Sequence, residues 1–89
     1  MTINLNDEIW TGIDVKHKNK RGRIIHREFQ RMAITTDKDS FLTYAQYILD
    51  SAPDTSNIVI IHKPTQTVID FTGLMQTIGM KSKRYNKEA

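Results

Sequence analysis

With 89 residues, 38% of them hydrophobic, the chain has room for one packed domain and none for a second. It contains no cysteine, which excludes a disulfide framework, a thiolate metal centre and a cysteine nucleophile, and its longest unbroken apolar run, Ile58 to Ile61, is far short of the ~20 residues that span a bilayer. A formal net charge of +3 hides a segregation: residues 16–31 hold seven cations against Glu28, the tail from Lys81 holds four against Glu88, and the remainder is acidic.

The first ten residues carry Asp7 and Glu8 and no apolar run, so they do not read as a signal peptide. Together with the lack of cysteine, this leads to the expectation of a soluble, cytoplasmic protein. Ile9, Thr11, Ile13, Val15 and His17 then alternate with Trp10, Gly12, Asp14 and Lys16, a period of two that predicts a strand over Ile9 to His17. Lys18 to Gly22, polar and containing Asn19 and Gly22, has the make-up of an exposed, mobile hairpin loop.

Arg23 to Thr35 carries two signals. Ile25, Phe29, Met32 and Ala33 fall at i, i+4, i+7 and i+8, which is helical spacing, but the segment follows a hairpin loop and ends in β-branched Ile34, Thr35 and Thr36. We prefer the strand; the alternative pairs a helix over Arg23 to Ala33 with the next element.

That element is a helix from Asp37 to Ala52, with Phe41, Ala45, Ile48, Leu49 and Ala52 on one stripe, Thr36 as N-cap, Asp37 and Asp39 in the first turn, and Pro53 as the stop. Ile58 to Ile61, within a strand from Asn57 to Lys63, reads as buried on both faces and hence central. Pro64, Thr65 and Gln66 turn the chain into a strand over Thr67 to Thr72, and Leu74, Met75 and Ile78 allow one or two turns of helix. The expectation is a single α+β domain over residues 1–80, a small antiparallel sheet in ββαββ order with one main helix and a short C-terminal one, followed by a basic, flexible tail over 81–89.

The basic hairpin is the strongest functional signal. Lys16, Lys18, Lys20, Arg21, Arg23, Arg27 and Arg31 share one protrusion, and a two-stranded ribbon can enter a major groove or follow a phosphate backbone. Lys81, Lys83 and Arg84 supplement it. The bland counterpart is a solvated hairpin kept polar against edge pairing. Trp10, Phe29, Tyr44, Tyr47, Phe71 and Tyr85 are candidate stacking platforms, most of them expected in the core. Tyr44 and Tyr47 lie off the helix stripe and read as interface anchors for a protein partner.

Chemistry is poorly signalled. His17 and His26 can face each other across the hairpin, but zinc needs a third or fourth ligand and no carboxylate is marked to supply it, so no metal site is expected. A metal-free ribonuclease on His26 or His62 with a neighbouring cation is chemically conceivable, yet no nucleophile with a positioned base stands out. Glycines 12, 22, 73 and 79 form no phosphate loop, and no serine sits in a nucleophile elbow. The sequence thus reads as a non-enzymatic binding protein without cofactor, contacting nucleic acid or, alternatively, an acidic protein surface or a nucleoprotein complex as an interaction or inhibitory module. In its brevity and lack of motifs it resembles small accessory proteins of phages and mobile elements. Edge strands leave homodimerisation open.

Overall fold

The alternating β-branched residues of the first segment form β1 (Ile9–Lys18), which hydrogen-bonds to strands on both sides. In the computed structural model, which describes residues 3–83, β2 (Ile24–Thr35), α1 (Lys38–Ser51), β3 (Ile58–His62), β4 (Thr67–Asp70) and α2 (Phe71–Ile78) follow in that order. The strands make one antiparallel sheet in the order β2-β1-β3-β4, so the fold is α+β, as the pattern predicts. The segment after Arg23 is a strand from Ile24 and not a helix.

The first turn is built by Asn19. Its backbone carbonyl accepts from Gly22 N at 3.0 Å and its side-chain Oδ1 accepts from Arg21 N and Arg23 N at 2.9 and 3.0 Å. Gly22 closes the turn at φ 83°, a left-handed conformation that only glycine adopts without strain.

Helix α1 starts one residue later than its capping signal suggests. Asp37, not Thr36, is the N-cap, because its carboxylate accepts from both Ser40 N at 2.9 Å and Ser40 Oγ at 2.8 Å. Those bonds hold Asp37 below the usual carboxylate pKa. β4 is shorter than expected for a similar reason: Asp70 caps α2 through Gly73 N at 2.8 Å, which starts the helix at Phe71 instead of beyond Gly73.

Ile9, Ile58 and Ile60 from the sheet meet Phe41, Ala45 and Ile48 of α1 and Phe71 and Met75 of α2 in one buried cluster. Both helices therefore cover the same face of the sheet. β3 is central, but it is not buried on both faces: Ile58, Ile60 and His62 lie under the helices, whereas Val59 and Ile61 alternate onto a face that no helix or strand covers. The apolar run reflects a half-covered central strand, where β-branched residues are favoured by the pleat as well as by burial.

On that uncovered face the backbone of β1 approaches its neighbour closely at Gly12. A Cβ there would stand 2.3 Å from Gln30 O and 2.6 Å from the Phe29 ring, so the absence of a side chain lets Phe29 lie across the strand. Gly12→Ala is expected to push β1 and β2 apart and lower stability by roughly 2–3 kcal/mol. Urea unfolding of the variant measures this, and an unchanged midpoint would exclude the close approach.

Candidate nucleic-acid interface

β1 pairs with β2 along its whole length but with β3 only from Ile9 to Ile13. Asp14 N still reaches Asn57 O at 2.8 Å, and beyond it the hairpin continues with no third strand. Val15 to Lys18, the turn, and Ile24 to Glu28 thus form a two-stranded arm at one end of the sheet.

Two irregularities shape the hairpin. Register shifts between Thr11 and Gly12 and between His17 and Lys18 leave Met32 and Ile25 as extra residues on β2. Such bulges increase local twist and break up a long edge.

Strand alternation sorts the hairpin's side chains onto two faces. Lys16 is paired directly with Arg27, and both lie on the uncovered face with Asp14, Trp10, Phe29 and Arg31. Arg27 Nη2 donates to Asp14 Oδ2 at 2.8 Å and Lys16 Nζ lies 3.7 Å from the same oxygen. The Arg27 hydrogen bond, aided by the charges of Arg27 and Lys16, holds Asp14 below the usual carboxylate range against an opposing desolvation. Nearer the base of the sheet, Arg31 Cζ and Lys63 Nζ sit 4.9 and 4.1 Å from the centre of the Trp10 ring, while Trp10 Nε1 donates to Glu8 at 2.7 Å. Phe29, Val59, Ile61 and Val68 line a shallow apolar trough beside Arg27 and Asp14.

The seven hairpin cations accordingly fall into three groups. Lys18, Lys20, Arg21 and Arg23 surround the tip, exposed, and none has a carboxylate within ion-pair distance among the described residues. Lys16 and Arg27 share Asp14 where the arm leaves the sheet, and Arg31 is not on the arm at all but over Trp10.

Lys81 and Lys83 are set apart from this group. The segment carrying them runs along α1, with Gln46 Nε2 donating to Lys81 O at 2.9 Å and Lys83 N donating to Asp50 Oδ1 at 2.7 Å. Arg84 and Tyr85 lie outside the described residues. Tyr44 and Tyr47 stack on α1 with ring centres 6.2 Å apart; Tyr47 is exposed, and burial followed by the neighbouring Tyr47 raises the pKa of Tyr44.

Phe71 is core, as expected for most of the aromatic residues, but Trp10 and Phe29 are not: they occupy the uncovered face. The histidines also separate. His62 is buried under the helices, with Nε2 2.8 Å from Asp7 Oδ2 and Nδ1 2.7 Å from Thr65 Oγ1, a chain of polar contacts that ties the N-terminal segment to the β3–β4 turn. His17 and His26 are exposed on the arm, their ring centres 5.3 Å apart, and Glu28 Oε1 lies 2.8 Å from His17 Nε2. The spacing His26-x-Glu28 on a strand already puts those two on one face, a signal that the sequence carries, and the register of β1 against β2 brings His17 to them. No helix among the described residues is long and apolar enough to cross a membrane.

Comparison with protein-family models, with curated proteins and with solved structures finds no match.

Because Asp14 has a lowered pKa in the folded chain, its stabilising effect is complete above its ordinary value of 3.8 and is lost as the pH falls through the lower folded value. Asp14→Asn lacks that effect at every pH. The difference in urea midpoint between wild type and Asp14→Asn is therefore expected to be largest at neutral pH and to close on acidification below the ordinary carboxylate range. A constant difference would separate Asp14 from any role in holding Arg27 and Lys16.

Proposed function

We propose that this is a non-enzymatic protein that binds nucleic acid through its basic β-hairpin, Lys16 to Arg31. The observation that carries the reading is the arm itself: a two-stranded extension with no third strand, tipped by Lys18, Lys20, Arg21 and Arg23, none of them neutralised by a described carboxylate. A two-stranded ribbon fits a major groove about 12 Å wide, and cations at its tip can replace condensed counterions on phosphates. Lys16, Arg27 and Arg31 extend the positive face towards the sheet, where Phe29 offers an aromatic surface at the trough. The reading does not draw on Lys81 and Lys83, which lie along α1. A reducing, cytoplasmic setting suits a chain without cysteine.

Titration against duplex DNA, single-stranded DNA and RNA across a range of salt tests this directly. Affinity should fall steeply with salt, and replacing Lys18, Lys20, Arg21 and Arg23 together by alanine should reduce the slope of log K against log salt by about 3 to 4. Undetectable binding at low salt, or an unchanged slope, would overturn the reading.

A second reading, a protein-interaction surface, draws support from the outer edge of β2. This twelve-residue edge strand exposes Ile25, Met32 and Ile34, apolar residues that an additional strand could cover. A second copy of the chain is the simplest occupant. Sedimentation equilibrium should then give a dimer mass that reverts to the monomer in Ile25→Lys/Ile34→Lys; a monomer throughout would remove homodimerisation.

A further inference from the structure

The single acidic residue of the basic stretch 16–31, Glu28, is surrounded in sequence by lysine and arginine, yet the side chain it contacts is a histidine, His17. Register explains the choice. His17 and His26 are direct cross-strand partners, Glu28 lies two residues beyond His26 on β2, and strand alternation places all three on the same side of the arm. Lys16 and Arg27, the neighbours of His17 and His26, project from the opposite side, towards Asp14. One ligand atom from each of His17, His26 and Glu28 lies within 4.8 Å of the others, and all three side chains are exposed.

We propose that His17, His26 and Glu28 form a binding site for a divalent transition-metal ion of the zinc class. Two imidazoles and one carboxylate are a donor set suited to such ions and poorly suited to calcium or magnesium, which favour oxygen. Zinc ligands at about 2.0–2.2 Å from the ion stand roughly 3.4 Å from each other in a tetrahedron, so the existing cluster needs only side-chain rotation to close around an ion. Exposure leaves those rotations free. The ion takes the place of the hydrogen that joins His17 to Glu28, and its remaining coordination position faces solvent.

The position in the fold gives the site a consequence. His17 belongs to β1 and the other two ligands to β2, so a bound ion cross-links the hairpin where no third strand supports it. The bulge at Ile25, immediately before His26, sets the orientation of that ligand. The missing third ligand, which led the sequence reading away from a metal, is thus Glu28, set beside His26 by the two-residue spacing of a strand and brought to His17 by pairing.

The test uses the untagged full chain, stripped with a chelator and titrated with zinc chloride by calorimetry and with cobalt(II) by visible absorption. Saturation at one equivalent per chain is expected, with imidazole NMR resonances of His17 and His26 shifting and those of buried His62 unchanged. His17→Ala, His26→Ala and Glu28→Gln should each weaken binding by at least about tenfold. Far-UV circular dichroism checks that these variants fold, and the wild-type NMR titration decides the matter if one does not. Absence of saturable binding, undiminished affinity in the triple variant, or shifts at His62 instead of His17 and His26 would overturn the proposal.

Discussion

The constraint on which the rest of the structure depends is a mismatch of strand length. β1 and β2 run for ten and twelve residues, whereas β3 and β4 run for five and four. The helices and the second hairpin can therefore bury only one end of the first hairpin. Within that end, Ile9, Ile58 and Ile60 meet Phe41 and Phe71 and supply the hydrophobic burial that stabilises the domain. The other end has no apolar layer to rest on and must be sustained by its own pairing, turn and side-chain contacts. This explains why Asn19 is so heavily used at the tip and why Asp14, where third-strand support ends, gathers Arg27 and Lys16.

Placing both helices on one side of the sheet leaves a second constraint, an apolar face with no protein layer over it. Gly12 and Phe29 answer part of it, since the missing side chain of one is covered by the ring of the other. Trp10 answers another part through Arg31 and Lys63, whose cations sit near its ring in place of a covering element. Val68, 64% exposed, is left at the short edge. The face is neither a core nor a fully solvated surface, and its mixture of rings, aliphatics and guanidinium groups follows from that intermediate position.

Much of the fold was legible because local signals agreed with one another: alternation in β1, the stripe of α1, and the paired turns. β2 was harder for a reason the structure makes plain. Ile25 and Met32, two of the four residues that imitate helical spacing, are the bulge residues, each shifting the phase of a period-two pattern. Ile58 to Ile61 showed a strand but not what covered it, since an apolar run is consistent with one buried face or two. The cap was read one residue early, at Thr36, because Thr and Asp are both capping residue types and only the geometry to Ser40 assigns the role to Asp37. Of the candidate interface, the charge and the tip were visible but the pairing was not: the linear order sets Arg31 eight residues past Arg23 on the returning strand, yet nothing in it puts Arg31 over Trp10 or Lys81 alongside α1.

The same register organises two different chemistries on one ribbon. Residues alternating from Asp14 through Lys16 face the uncovered side with Arg27, whereas Val15, His17, His26 and Glu28 face the side on which the helices lie farther down the sheet. Shifting β2 by one residue would carry His26 and Glu28 together to the side of Asp14 and Lys16 and set Arg27 opposite His17, so both groupings would be broken. The bulge at Met32 lies between the buried base of the hairpin and this arm, so it adjusts the phase of β2 between them. Without it, the pairing of Thr35 and Ala33 at the base would put Arg27 opposite His17 and away from Asp14. The irregularity that obscures β2 in the sequence is therefore what allows the base to keep its core register while the arm keeps its charges apart.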